Sequence, residues 1–288
     1  MSYTTSPEPP SPAARPQPAP MPALIVPSRF RGPADSGNGG YVCGRVACYA
    51  DGPVTVTLRR PPPLATPLAV ERDRAGSIRV RHDGTLIAEA APPVSWPALE
   101  IPGQVSAAEA RRAAGRARYF EDPVFPECFG CGISRRPGDG LRIFPGPVGG
   151  GALWAAPWTP DPSITDASGR VRPEVVWAAL DCPSGIAAAE AAGLGQEAAI
   201  VLGRMTARLA AAPAPGGECR VIAWPAGRHG RKLTAGSALL GPAGEVLAVA
   251  ETVWLAVPRT APAPPGPHPA PAPAGPHPAP PVAREGTS

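Results

Sequence analysis

The chain has 288 residues, and its 27 Lys and Arg against 23 Asp and Glu leave a formal net charge of only +4. This small charge, with no stripe of basic and aromatic residues, argues against a nucleic-acid-binding protein. No apolar run reaches the ~20 residues of a membrane span and no signal-peptide pattern is found, so a cytoplasmic protein is expected. Six cysteines in a chain of this length predict free thiols rather than a disulfide framework.

Composition divides the chain into two tails and a folded centre. Residues 1–23 and 259–288 are rich in Pro and Ala and almost free of large apolar side chains, so burial cannot offset the entropy of ordering them. We predict that both tails are disordered. The roughly 235 residues between them suit two domains. We assign an N-terminal half to 24–104, a helical connector to 105–122 and a C-terminal half to 123–258.

The first half begins with a short segment that favours a helix. Two glycines follow Asn38, and an apolar pattern continues to Ala47. Asp83 and Gly84 are typical of a two-residue hairpin turn, which predicts paired strands on either side. Strands are predicted over 54–59, 68–72, 77–81 and 86–90.

The second half repeats this order of elements after a connecting helix. Ser106 and Glu109 have the spacing of a capping box, which predicts a helix over 106–118. Further on we predict a hairpin over 141–144 and 151–155, a helix over 173–192, and strands near 199–209, 219–224, 232–240 and 246–257. One helix of about five turns against an antiparallel sheet, twice over, indicates an α+β fold in which each sheet wraps an apolar helix.

Two segments resemble the hotdog-fold thioesterase superfamily, in particular the branch of bacterial phenylacetate-type acyl-CoA thioesterases. The segment Cys128-Phe129-Gly130-Cys131-Gly132, followed by Gly140-Leu141-Arg142-Ile143, is similar to the family's "CFGCG…GLR" opening. The second segment is the start of the helix, where family members place His-Gly-Gly and an acidic residue seven positions after the second glycine. The resemblance implies a double hotdog, with two antiparallel sheets each wrapping a long central helix, as a monomer or a homodimer.

Each half keeps a different part of the helix motif. The first half has Asn38-Gly39-Gly40, with Ala47 where the acid would fall. The second half has Arg172-Pro173-Glu174 in place of His-Gly-Gly, and Asp181 at the acidic position. Because a hotdog pair takes the helix start from one unit and the acid from the other, the resemblance implies one composite site between the halves.

The function implied by the resemblance is hydrolysis of an acyl-CoA or of an acyl carrier thioester. Gly39 permits close approach, and free backbone N–H groups at Gly40 and Tyr41 would point at the thioester carbonyl. Asn38 would cap the helix or orient the acyl oxygen. Asp181 would act as a general base on water or as a nucleophile. An alternative is that Asp181, two residues before Pro183, satisfies backbone groups at a kink.

A basic cluster lies further along the chain, before a predicted strand. Arg228 and Arg231, with His229 and Lys232, could hold the phosphates of coenzyme A. The alternative is a solvated hairpin tip.

The cysteines invite other chemistry. Cys128-x-x-Cys131 has the spacing of a zinc or redox pair, but no second pair of ligands lies nearby in the sequence. Packing in a tight loop is the favoured interpretation, and we predict no metal and no cofactor. Cys182 has no well-placed histidine to activate it as a nucleophile.

Two other functions stay open at this point. The altered motifs at both helix starts are compatible with a non-catalytic acyl-CoA-binding or lipid-binding protein. A hotdog hydratase or dehydratase would use an Asp and His pair before the helix, and Asp161 and Asp166 lie in such a loop without a histidine.

Overall fold

The structure is a computed structural model that describes residues 21–93 and 101–259. Residues 1–20 and 260–288, which make up most of the two predicted tails, lie outside the described residues, so their disorder stays a prediction. Within the described part of the chain, no helix is long and apolar enough to cross a bilayer.

The described residues form three α-helices and ten β-strands. The helices are α1 (Gly39–Ala47), α2 (Ala107–Ala114) and α3 (Pro173–Ala191). The strands are β1 (Thr55–Leu58), β2 (Ala69–Arg72), β3 (Ile78–His82), β4 (Thr85–Ala91), β5 (Gly146–Val148), β6 (Leu153–Trp158), β7 (Ala198–Leu209), β8 (Cys219–His229), β9 (Lys232–Leu240) and β10 (Val246–Pro258). The predicted α+β class with antiparallel pairing is confirmed.

All ten strands belong to one antiparallel sheet, in the order β2-β3-β4-β1-β7-β10-β9-β8-β6-β5. The two halves of the chain meet where β1 pairs with β7, and at this seam Thr55 lies opposite Thr206. The prediction of two separate sheets is therefore wrong. An edge strand carries a row of unpaired N–H and C=O groups, and here β1 and β7 satisfy each other's groups instead of ending two sheets.

The two halves differ in the length of their helix. Helix α3 has 19 residues and is buried along nearly its whole length, whereas α1 has nine. The prediction of a long central helix in each half is thus wrong for the first half. The segment after α1 contains Asp51, Gly52 and Pro53, which are among the weakest helix formers, so the helix cannot continue.

The connector contains α2, which lies on the opposite face of the sheet from α3. The capping box is confirmed. The Ser106 side chain accepts a hydrogen bond from the Glu109 N–H, and the Glu109 carboxylate accepts one from the Ser106 N–H. Buried Ala110 of α2 belongs to the same apolar cluster as Ile222 of β8, while the neighbouring Val221 belongs to the cluster of α3. Successive strand residues point to opposite faces, so β8 is covered on both sides.

Local geometry confirms one predicted turn and corrects one predicted strand. Asp83 and Gly84 both have positive φ, as a type I′ hairpin turn requires. The segment 141–144 is not a strand. Arg142 has φ 54°. The N–H groups of Leu141 and Ile143 donate to the carbonyls of Phe129 and Gly130, which belong to the Cys-rich loop of residues 128–132. The two halves of the "CFGCG…GLR" pattern therefore pair with each other.

Candidate functional site

The N-terminus of α1 packs directly against the middle of α3. Gly40 and Gly44 lie one turn apart on α1, so they share a face. A Cβ atom at Gly40 would lie 2.5 Å from the Asp181 Cβ, and one at Gly44 would lie 2.5 Å from the Glu174 Cα. Only glycine at both positions permits this approach, which brings the start of one helix to the carboxylate of the other.

The Asp181 carboxylate is bound by two donors from the start of α1. Its Oδ2 accepts a hydrogen bond from the Gly40 N–H at 2.9 Å and another from the Asn38 Nδ2 at 2.9 Å. Asn38 also caps the helix, because its Oδ1 accepts from the Tyr41 N–H at 2.9 Å. Asn38 therefore joins the capping of α1 to the position of Asp181. Both side chains are only 2% exposed.

The surroundings of Asp181 favour its neutral form more than water does. Burial raises the pKa of the Asp181 carboxyl to about 7; the Gly40 N–H opposes this shift, the nearby Cys128 adds to it, and the Asn38 amide again opposes it. The other oxygen, Oδ1, is buried and has no hydrogen-bond partner among the described residues. Near neutral pH this carboxyl can both accept and release a proton, as general acid–base chemistry requires.

The structure brings Asn38, Gly40 and Asp181 together, but it corrects one detail of the predicted site. The N–H groups of Gly40 and Tyr41 are not free, since Asp181 and Asn38 accept from them. A buried N–H costs free energy when it lacks an acceptor, and the two nearest side chains supply one. Gly39 faces β7, where a Cβ would lie 2.8 Å from the Leu202 Cβ.

The Tyr41 side chain belongs to the apolar core. It is buried and stacks on Phe30, with ring centroids 3.9 Å apart and an interplanar angle of 4°. Burial raises its pKa above the usual value. Its ring therefore holds the start of α1 in place, and only its backbone reaches the site.

The structure does not bring Arg228 and Arg231 to this site. Both are exposed, at and beside the turn between β8 and β9. Arg228 donates to the carbonyl oxygen of Ala192, at the C-terminal end of α3, where a cation is favoured by the helix dipole. Eleven residues separate Asp181 from Ala192, which is roughly 16 Å along the helix axis. Phosphate binding by these arginines stays a prediction.

Three cysteines form a cluster that sequence analysis missed. The Sγ atoms of Cys128, Cys131 and Cys182 lie within 4.8 Å of one another, and all three residues are buried. Hydrogen bonds from the other two thiols hold the pKa of the Cys128 thiol well below its usual range, and the same bonds raise the pKa values of Cys131 and Cys182 well above it. The spacing of the first pair was visible, but Cys182 follows 51 positions later and only folding brings it near.

A cavity of about 240 Å³ lies between the segments 137–142 and 158–164. Leu141, Trp158 and Asp161 are among the residues that line it, whereas Asn38 and Asp181 are not. Asp161 is half-buried and caps a short 3₁₀ helix through a hydrogen bond from the Ser163 N–H. The buried pair of Asn38 and Asp181 therefore does not line this cavity.

Comparisons with known proteins give the fold. No protein-family model matches the chain, and no curated protein does. A crystal structure of a proposed thioesterase of Novosphingobium aromaticivorans matches with 17% identity and a TM-score of 0.50, covering 81% of this chain and 94% of that one. The chain has the hotdog fold.

Two further structures with the hotdog fold match less closely. The tesB protein of Mycobacterium avium subspecies paratuberculosis has 15% identity and a TM-score of 0.49, with 79% of this chain and 90% of that chain covered. A proposed thioesterase of Ralstonia eutropha, related to phenylacetic acid degradation, has 16% identity and a TM-score of 0.36, with 40% and 85% covered. The likeness to the Novosphingobium structure, at 17% identity, establishes the fold of the chain and not its activity.

Proposed function

We propose that this chain is an acyl-thioester hydrolase, acting on an acyl-CoA or on an acyl carrier thioester, with one composite site between two hotdog halves. The observation that carries the proposal is the pair of 2.9 Å hydrogen bonds from Asn38 and Gly40 of the first half to Asp181 of the second. The remains of the helix motif, split between the halves, meet at one point.

Asp181 is the proposed general base. It would take a proton from a water molecule as that water attacks the acyl carbonyl carbon, and the C–S bond would then break with the thiolate leaving. Its pKa of about 7, raised mainly by burial, supports this role, because a base is most effective when its pKa lies near the working pH. Direct attack by the carboxylate to form an anhydride is the other route open to it.

The start of α1 is the proposed oxyanion site. When a substrate carbonyl enters, it would replace the Asp181 Oδ2 as acceptor of the Gly40 N–H, and the released carboxylate would turn to the attacking water. The positive end of the α1 dipole and the amide of Asn38 would favour the negative oxygen of the tetrahedral intermediate. Gly40 suits this role because it has no side chain between its N–H and the carbonyl.

Entry of substrate requires the site to open. Asp181 is only 2% exposed, and the Cys-rich loop lies against the next residue of α3, where a Cβ at Gly130 would be 2.8 Å from the Cys182 Sγ. We propose that this opening takes place when a thioester binds. Openings of this kind commonly take place on the microsecond to millisecond timescale.

The test is thiol release by the full-length chain from a panel of short, medium, long and aromatic acyl-CoAs. We expect release from at least one of them, and Asp181→Asn should lower kcat by about 10²–10⁴-fold, because it removes the base and keeps the side-chain shape. Asn38→Ala should lower kcat by a smaller factor, since Gly40 still donates to Asp181.

Asp166→Asn is the matched control. Asp166 is exposed, and its carboxylate accepts hydrogen bonds within its own turn, from Ser168 and Arg170. Its rate should equal that of the unaltered chain. Thermal melting should show that each variant is folded. Equal rates for Asp181→Asn and the unaltered chain would contradict the proposal.

A non-catalytic acyl-CoA-binding protein is the second candidate function. It is favoured by the burial of Asp181 and by the pairing of both N–H groups at the start of α1. In that case an acyl-CoA raises the melting temperature of the chain while no thiol is released from it. The hydratase alternative gains no support, since Asp161 and Asp166 each cap a local turn.

A further inference from the structure

The buried cysteine cluster has the composition and spacing of a metal site. Cys128 is 3% exposed, and Cys131 and Cys182 are each 8% exposed. The Sγ atoms of Cys128 and Cys182 lie 3.6 Å apart, and the third sulfur lies within 4.8 Å of both. A Zn–S distance of about 2.3 Å places two thiolates of a tetrahedral ion about 3.8 Å apart. The distance between the Cys128 and Cys182 sulfurs is close to this value, and the Cys131 sulfur lies near enough to join them.

The loop that carries two of the sulfurs is held in a tight turn. The loop closes where the Gly132 N–H donates to the Cys128 carbonyl at 2.8 Å. A Cβ at Gly132 would lie 2.5 Å from that carbonyl oxygen, so only glycine fits there. The turn keeps Cys128 and Cys131 on one loop, and the thiolate is the form in which both would bind a metal.

A side chain outside the loop also contacts the sulfurs. The Nδ2 of Asn38 lies 3.7 Å from the Cys128 Sγ and 3.8 Å from the Cys182 Sγ, while it also donates to Asp181. Groups that donate to metal ligands orient them and offset their charge. The third ligand, Cys182, comes from α3, so it extends the two-cysteine loop to a three-sulfur site.

We propose that Cys128, Cys131 and Cys182 bind one Zn²⁺ ion, which fixes the loop of residues 128–132 to helix α3 beside Asp181. Thiolate ligands select zinc and other thiophilic ions over magnesium and calcium. Three protein ligands leave one position of a tetrahedral ion for an exogenous ligand such as water. The ion would replace weak contacts between thiols by bonds that join loop and helix.

The proposed zinc site does not depend on the proposed function. It is tested by the metal content of the chain and not by activity. The full-length chain should be expressed in zinc-supplemented medium, dialysed against a chelator and assayed for zinc by mass spectrometry. We expect about one zinc per chain. Replacement of zinc by Co²⁺ should add a thiolate-to-cobalt charge-transfer band.

Serine variants locate the ligands. Cys128→Ser and Cys182→Ser should each lower the zinc content at least tenfold and remove the charge-transfer band. Cys219→Ser is the matched control, since Cys219 is also buried but lies outside the cluster, at the start of β8, and its zinc content should not change.

Several outcomes would overturn the proposal: less than one tenth of a zinc per chain with no cobalt band, a disulfide among the three cysteines in the freshly purified chain, or full zinc content in both serine variants. If a serine variant does not fold, the zinc content and cobalt spectrum of the unaltered chain decide. A chain that holds zinc but releases no thiol from acyl-CoAs would reject the proposed function alone.

Discussion

The two helices that meet at the site hold their positions by different means. Helix α1 has nine residues and contacts α3 through two glycines, so its place depends on the absence of side chains. Helix α3 has 19 residues, and 16 of them are buried. The short helix keeps the start of the hotdog motif and the long helix keeps the acid. If the two halves share the proposed composite site, each can lose the part that the other supplies.

The difference predicts that α3 is the more sensitive helix to the loss of side-chain volume. Leu180 is fully buried, and Leu180→Ala should lower the free energy of unfolding by about 2–5 kcal/mol, through lost apolar burial and the cavity left behind. Val46→Ala, at a fully buried position of α1, removes less volume and should cost less. Urea unfolding measures the free energy of unfolding of both variants. An equal loss in the two would contradict the prediction that α3 is the more sensitive helix.

Added side-chain volume should destabilise the contact that α1 makes with α3. Gly44→Ala places a Cβ 2.5 Å from the Glu174 Cα and should lower the free energy of unfolding by about 1–3 kcal/mol, because the two helices must move apart. Gly52→Ala is the control, since no atom lies within 4 Å of its Cβ position, and its effect should stay within about 0.5 kcal/mol. If Gly44→Ala unfolds at the same urea concentration as Gly52→Ala, the close approach of α1 and α3 is not as described.

A buried hydrogen-bond network after Pro183 also helps to hold α3 in place. The Ser184 hydroxyl donates to the Asp181 carbonyl at 2.7 Å and accepts from Thr252 and from the Trp254 Nε1. Ser184→Ala should cost about 1–2 kcal/mol of unfolding free energy, because buried donors lose an acceptor. Ser134→Ala, at an exposed loop position, serves as the control in the same unfolding assay and should leave stability unchanged.

The smallest expected effect lies at the seam between the halves. The hydroxyls of Thr55 and Thr206 are 2.8 Å apart, across the β1–β7 pairing. A double-mutant cycle with Thr55→Val and Thr206→Val should give a coupling of about 0.5–1 kcal/mol. A coupling of zero would mean that this bond does not help to join the halves.

Local sequence signals predicted the local structure well. The capping box at Ser106, the turn at Asp83 and Gly84, and the helix start at Asn38 each depend on neighbours a few residues away, and all three are present. The apolar pattern up to Ala47 also agrees with the end of α1, whereas the long helix expected in the first half from the repeated plan of the two halves is wrong. The pattern of residues 141–144 favours a strand, but their backbone partners lie in the Cys-rich loop and cannot be recognised from that pattern.

The sequence by itself determined the α+β class, most helix and strand positions, and the separate halves of a helix motif at Gly40 and Asp181. Only the tertiary structure decided that the strands form one sheet, that Asp181 takes the N–H of Gly40, and that Cys182 joins Cys128 and Cys131. The physical reason is the distance along the sequence between the residues that contact each other. Caps and turns are set by bonds between near neighbours, whereas contacts between residues 50 to 140 positions apart form only when the whole core packs.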